Sequence, residues 1–510
     1  MPPENNEHTM DSTLADNTVP TPRAHNAMNT IDAAPEDSQS LAADLRAPTI
    51  SRAYQCQCGR PVFLGNSQCL ACRTPLGYVI DSLGVVPLAP AEHQGAEPDT
   101  FTVYGDTEGK AWRRCANFLT AAGCNWMVPA PRDGDGPDDP TLHHTDGLSP
   151  GYCLSCSVTR TIPDLSIESN GILWRKLEQG KRRLISQLLA LGLPVVSRLS
   201  DPVHGLAFDF LSNVPGGPHV LTGHDQGVIT LNAEEAEDAV RERIRAEMRE
   251  PYRTLVGHFR HEIGHYYWDL LVFPTPWIDD FRALFGDERA DYATALRTHY
   301  ENGPPPDWAN RFVTSYASSH PWEDWAETWA HYLHMADTAD TAMSFGVDAQ
   351  NVELASDLFE PTDLWQPEHP DAMKFLDFLN GWVRLTNVLN ELSRSMGQPD
   401  YYPFVLPRTA VGKLQFIHQV ITQQRHHQSD AALAAQQDGM SQREESGGRS
   451  DATSGIAGNA VEAPMAPASS APVAAPAAEP MQPSTSSQTQ TQMQTQGGGF
   501  QNQQQEPVIG

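Results

Sequence analysis

The chain has 510 residues, with 34 Lys plus Arg against 64 Asp plus Glu, a formal net charge of −30. So acidic a balance repels phosphate backbones and speaks against nucleic acid as a partner of the whole chain. No apolar run approaches the roughly 18 residues of a membrane span, so no membrane association is expected.

Residues 1–48 are poor in aromatics and rich in Asn, Asp, Ala, Pro and Thr, a composition that predicts a disordered leader. This stretch has neither a positively charged start nor an apolar h-region, so the expected compartment is cytoplasmic. All eight cysteines then fall in a block spanning 50–160. The first four, Cys56, Cys58, Cys69 and Cys72, form two close pairs on turn-rich backbone, the spacing with which thiolates close a tetrahedron around zinc. The second four, Cys115, Cys124, Cys153 and Cys156, are looser and predict a second such site. With no secretory signal, reduced zinc-bound cysteines fit better than disulfides. A zinc ribbon of this kind serves structure, nucleic-acid contact or docking of a protein partner, and its presence alone does not choose among them. Pro129 to Ser149 reads as a Gly/Asp/Pro-rich loop inside the block.

Residues 161–425 carry the second folded region. Ile172 to Leu191 has helical spacing, and the basic run Trp174 to Arg183 within it reads as a solvated helix face. His219 to Asn232 reads as a β-hairpin, with Gly227 to Leu231 as the candidate sheet edge able to pair with an extended peptide. Asn232 with Glu235 is a capping-box signature for the charged helix running to Glu250. Pro251 fits the start of the next helix, which contains Gly257-His-Phe-Arg-His-Glu-Ile-Gly-His-Tyr-Tyr-Trp268. At 3.6 residues per turn, His261 and His265 project from one face and can grip one zinc ion, with Glu262 beside it to polarise a water. His258 is two turns from His265, too far along the axis to share a tetrahedral ion with both. It belongs beside the metal shell, on the substrate side, or in the core.

A catalytic zinc needs a third protein ligand. The long form HExxHxxGxxH is excluded, because Trp268 and Leu271 stand where its glycine and last histidine belong. Two downstream segments offer acids. Asp287, Glu288 and Asp291 lie close in sequence. Farther on, Glu323, Glu327, His331 and His334 share one helical face, while Trp322, Trp325 and Trp329 form a separate stripe suited to the core. Beyond them, Asp371 to Met396 and Ala410 to Ile421 predict a helical second lobe facing the metal. Tyr316, Tyr401 and Tyr402 are candidate donors to a developing oxyanion. From 426 to 510 the chain is Ala/Pro/Gln-rich and reads as a disordered tail.

The spacing Glu-x-x-Ala-Glu at 323 to 327 resembles the glutamate helix of gluzincin peptidases. That resemblance implies Glu323 as the zinc ligand and Glu327 as the acid that orients a zinc histidine. More broadly, the chain from about Gln55 to Ile421 resembles bacterial zinc-binding metallopeptidases with an N-terminal zinc ribbon. The strings that carry this are Cys-Gln-Cys-Gly at 56 to 59, Gly205-Leu-Ala-Phe-Asp-Phe210, Leu221-Thr-Gly-His-Asp225, His258 to Asp269, Phe281 to Tyr292 and His320-Pro-Trp-Glu-Asp-Trp-Ala-Glu327. The family's metal pair maps to His261 and His265, and its general base to Glu262.

The expected fold is therefore α+β: zinc-ribbon modules, then a mainly helical zincin-like domain with a small β-sheet, between disordered termini. The expected function is a zinc-dependent peptidase acting on a peptide or protein substrate, with one catalytic Zn2+ and one or two structural ones. A zinc-stabilised scaffold that no longer turns over substrate is the alternative.

Overall fold

The computed structural model describes residues 50–447 except 92–98, 108, 131–150, 215, 249, 274 and 355–357, with side chains described to 430. The leader expected over 1–48, the loop expected over 129–149 from position 131 onward, and the tail beyond 447 lie outside the described residues. The first compact unit ends at Met440.

Two-residue strands β1 (Tyr54–Gln55) and β2 (Pro61–Val62) pair antiparallel and carry Cys56 and Cys58 on the turn between them. The turn is possible because Gly59 takes φ +79°, letting its N–H return to the Cys56 carbonyl at 2.9 Å. Strands β3 (Leu76–Val79), β4 (Gly84–Pro90), β5 (Thr100–Val103), β6 (Ala111–Arg114) and β7 (Met127–Pro129) follow as an antiparallel sheet in chain order. Tyr78 N donates to Asn125 O at 2.9 Å, bringing the approach to β7 back against β3, and the Tyr78 and Trp126 rings stack with centroids 4.2 Å apart.

The second sheet has the order β10 (Gly223–Asp225), β11 (Val228–Asn232), β9 (Ala207–Leu211), β8 (Thr159–Thr161). The hairpin expected between His219 and Asn232 is present and turns at Gln226 and Gly227, both at positive φ. A Cβ on Gly227 would also meet the Gly205 carbonyl oxygen at 2.5 Å, so only glycine fits. Because β11 pairs parallel with β9 on its other side, Gly227 to Leu231 is internal, and the hairpin's open edge is β10.

The longer helices are α1 (Glu168–Ala190), α2 (Asp238–Glu247), α3 (Leu255–Tyr267), α4 (Trp277–Phe285), α5 (Tyr292–Asn302), α6 (Pro321–Ser344), α7 (Ala372–Ser395) and α8 (Arg408–Gly447). Helix α1 starts at Glu168, ahead of the expected Ile172, and three further boundaries differ from expectation. Asn232 caps a 3-10 turn, Ala233–Ala236, by accepting from Glu234 N, and α2 starts only after it. The helix expected from Pro251 begins at Leu255, because the Thr254 hydroxyl accepts from Gly257 N at 3.0 Å and caps it there. The tail expected from 426 begins as the continuation of α8, which runs to Gly447.

One contiguous apolar core runs from Tyr54 in the cysteine-rich region through Trp174, Phe259, Trp325 and Trp329 to Ile421, across the expected boundary at 160. Helix α3 crosses α6 closely enough that a Cβ on Gly264 would meet Trp329 Cδ1 at 3.1 Å and Ala326 Cα at 3.2 Å. That accounts for a glycine inside the histidine motif, where helix propensity alone argues against it. Among the described residues, no helix is long and apolar enough to cross a membrane.

The regions are also joined by a buried charge hub. Asp337 on α6 accepts from Arg52 Nε at 3.0 Å, Arg183 Nε at 2.7 Å and Arg260 Nη2 at 2.8 Å. Arg52 stands just ahead of β1, Arg183 on α1, and Arg260 beside the histidine motif on α3. Burial alone would raise the Asp337 pKa, but the three guanidiniums outweigh it and hold the carboxyl well below its usual range. Since the folded value is depressed, the hub's contribution is present above the unfolded carboxylate pKa of about 3.9 and is lost as pH falls towards the folded value. Asp337→Ala leaves buried guanidiniums unpaired and is expected to cost about 3–5 kcal/mol in urea unfolding at pH 7. An unchanged midpoint would contradict the hub's role.

Candidate metal centre

Helix α3 presents His261 and His265 towards α6, and the opposed turn of α6 presents Glu323 and Glu327. His261, His265 and Glu323 each place a ligand atom within 4.8 Å of the others'. Glu323 Oε2 lies 3.0 Å from His261 Nε2 and 3.6 Å from His265 Nε2. A tetrahedral zinc with bonds of ~2.0–2.1 Å separates its ligand atoms by about 3.3 Å, so these spacings fit one such ion. Glu323 Oε2 is buried and faces the two imidazole nitrogens, so its charge is compensated either by a protonated imidazole or by a cation held among the three atoms.

The electrostatics point the same way. Burial opposes a charge on His261, yet its contacts with Glu323 and Glu327 raise its pKa well above the usual imidazole value. Burial would also raise the Glu323 pKa, but His265 and His261 hold it well below the carboxylate range. The acids thus demand positive charge at the point where the three side chains converge. The outward atoms of His261 and Glu323 are tied. Glu327 Oε1 lies 2.7 Å from His261 Nδ1, and its Oε2 accepts from the Thr314 hydroxyl at 2.7 Å. Tyr292 donates its hydroxyl to Glu323 Oε1 at 2.5 Å. Glu262, between the histidines in sequence, is buried, and burial raises its carboxyl pKa against the opposing effect of His261 and His265.

Several expected residues are elsewhere. Glu288 pairs with Arg282 at 2.5 Å and Asp287 with Arg289 at 2.7 Å, while Asp291 caps α5 by accepting from Thr294 N. His331 contacts the Tyr402 hydroxyl and His334 Nδ1 accepts from Arg260, so neither joins the cluster despite sharing Glu323's helical face. Tyr402 is occupied there, and Tyr401 sits 3.5 Å from the Thr338 hydroxyl. His258 pairs with Glu235 at 2.6 Å. Tyr316 does approach the centre, its ring centroid 6.0 Å from that of His261, and burial together with Glu323 keeps its phenol protonated.

Three neighbours went unforeseen. Thr314 and Tyr292 carry no motif of their own, although Tyr292 ends the acid-rich segment that competed for the ligand role. His224 on the open edge strand β10 lies 6.2 Å, ring to ring, from His265, and accepts from Gly227 N at 2.9 Å. Burial and His265 lower its pKa to about 3, so the imidazole is neutral.

The cysteines gather into the two expected sets, Cys56, Cys58, Cys69, Cys72 and Cys115, Cys124, Cys153, Cys156, with all eight thiols free. Sulfur separations of 3.5 Å (Cys56 to Cys72), 3.8 Å (Cys58 to Cys69) and 3.6 Å (Cys124 to Cys153) are close to the edge of about 3.8 Å that four Zn–S bonds of ~2.3 Å require. The Thr74 hydroxyl draws the Cys72 thiol down to about 6, towards the thiolate that a metal needs.

Set beside known proteins, residues 170–420 match the family described as "Putative zinc-binding metallo-peptidase", and residues 53–167 match a zinc-ribbon domain. Uncharacterized proteins of Mycobacterium tuberculosis (strain ATCC 25618 / H37Rv) and Mycobacterium bovis (strain ATCC BAA-935 / AF2122/97) are each 41% identical over 372 residues, covering 72% of this chain and 95% of the relative. No solved structure matches the chain.

Glu327→Ala frees the His261 ring that Glu327 now orients, and is expected to weaken metal affinity at this centre about 10- to 100-fold. Asp287→Ala and Glu288→Ala should leave it unchanged. Competition with a chelator measures all three, and metal loss in the last two would move the ligand role to their segment.

Proposed function

The chain belongs to the zinc-binding metallopeptidase family that its residues 170–420 match, with a zinc ribbon ahead of the match, and from that premise we propose that it is a gluzincin-type peptidase cleaving peptide bonds in an extended substrate. The observation that carries the reading is the convergence of His261 Nε2, His265 Nε2 and Glu323 Oε2 beside buried Glu262.

In this reading His261, His265 and Glu323 hold one zinc, and the two cysteine sets hold structural zinc. When bound, the catalytic ion polarises the substrate carbonyl and lowers the pKa of a water towards ~7. The chain's own residues do the rest. Glu262 takes a proton from the attacking water and delivers it to the leaving amine. Its raised pKa suits both halves of that cycle, because a base tuned towards neutrality is also a usable acid. Glu327 fixes the tautomer and tilt of His261. Tyr316, kept protonated, supplies an O–H near the carbonyl as negative charge develops on its oxygen. The open edge of β10 offers unpaired backbone groups to an extended peptide, packed against the helix that carries the histidines.

Glu262→Gln is expected to fold, to hold as much zinc as the wild type, and to lose hydrolysis of a peptide library by about 10²- to 10⁴-fold. Elemental analysis of His261→Ala should find one zinc fewer per chain, with the cysteine-bound metal retained. Full cleavage by Glu262→Gln removes it from the mechanism. A wild type that binds zinc only through cysteine and cleaves nothing is instead a zinc-stabilised scaffold.

A further inference from the structure

Tyr292 is the first residue of α5, and its ring is held edge-on against His320 and Trp322, with centroids 5.2 Å and 5.9 Å away. His320 is itself fixed. Its Nδ1 accepts from Trp322 N and its Nε2 lies 3.1 Å from the Ala290 carbonyl, two residues before the tyrosine. The start of α5 is set by Asp291, whose carboxylate accepts from Thr294 N at 2.7 Å. The flanking acids belong to the same frame, since Glu288 ties the loop that leads to Tyr292 to Arg282 on α4 and Asp287 pairs with Arg289 within it. The acidic segment that looked like a ligand source thus builds a mount for one phenol.

That phenol reaches one oxygen of Glu323 only. Oε1 receives the Tyr292 hydroxyl at 2.5 Å, while Oε2 faces the two histidine nitrogens. We propose that Tyr292 is a positioning residue that holds Glu323 to one-oxygen ligation, reserving the remaining coordination position of the zinc centre for water and substrate. A carboxylate beside a dication can bind through one oxygen or both. For Glu323 to bind through both, Oε1 has to abandon or share a short hydrogen bond in a buried place where no other described partner replaces it. A catalytic site needs the open position that this arrangement keeps, whereas a structural site fills it.

The inference rests on the zinc reading of the preceding subsection, and its test separates the two. Full-length wild type, Tyr292→Phe and Glu323→Ala are prepared with zinc in the cysteine sets and cobalt(II) in the third site. Tyr292→Phe keeps the packed ring and loses only the hydroxyl. It is expected to lower cobalt affinity by about 10-fold or more in chelator competition, and to weaken the visible d–d absorption per cobalt, because added carboxylate ligation raises the coordination number. Asp291→Ala, which loosens the mount without touching the ring, should move both readouts the same way by less. A purely structural role would shift the melting temperature and leave the spectrum alone. Tyr292→Phe with wild-type affinity and spectrum overturns the proposal. A wild type that takes up no cobalt, like Glu323→Ala, overturns the zinc reading instead.

Discussion

The close crossing of α3 over α6 is the contact on which the centre depends. Two histidines one turn apart define a line, and a third ligand can complete a tetrahedron only if its helix passes within a few ångströms of that line. Gly264 makes the passage possible by offering no Cβ to Trp329 and Ala326, and Trp325 locks it by donating its indole N–H to the Gly264 carbonyl at 2.8 Å. Trp325 and Trp329 are fully buried. One face of α6 therefore serves the core while the adjacent face delivers Glu323 and Glu327 to the histidines. A Cβ at 264 obliges Trp329 and Ala326 to give by a few tenths of an ångström, and a longer side chain presses further on the helix that carries Glu323.

The same crossing is braced electrostatically at the other end. Arg260 is adjacent to His261 in the chain and reaches Asp337, Gln187 and His334, so α3 is tied to α1 and α6 by bonds that begin one residue from a ligand. Arg52 brings the start of the ribbon region to the same carboxylate. The ribbon is thereby anchored into the helical region by charge as well as by shared core. The region that holds the two cysteine sets thus contributes an arginine to the brace behind the candidate metal centre.

Local periodicity made part of this legible. The pairing of His261 with His265 follows from helical geometry, the cysteine sets from their spacing, and the stripe of Trp325 and Trp329 from apolar period. The preference for Glu323 over Asp287 or Glu288 rests on the Glu-x-x-Ala-Glu spacing and the apolar side of its helix. Sequence spacing does not show that Arg282 and Arg289 engage the nearer acids in space. The open sheet edge was misassigned for a comparable reason. The hairpin is local, but which of its strands is covered depends on parallel pairing with β9, whose residues lie well before it in sequence. The Asp337 hub draws its arginines from three distant segments, and no window of sequence contains them together.

What separates this centre from ordinary buried polarity is the set of atoms that converges on one point. Glu327 has both oxygens engaged, by His261 and Thr314, and Glu323 has its outer oxygen engaged by Tyr292. The inward oxygen of Glu323 faces the Nε2 atoms of both histidines, while Tyr292, Thr314 and His261 fix the two carboxylates through their other atoms. Other buried polar atoms nearby, His265 Nδ1 and Trp322 Nε1 among them, are also without a hydrogen bond, so the missing bond is not what marks the centre. Its mark is the convergence of a buried carboxylate oxygen with two imidazole nitrogens, a donor set that suits a divalent cation in a chain already carrying 30 excess negative charges.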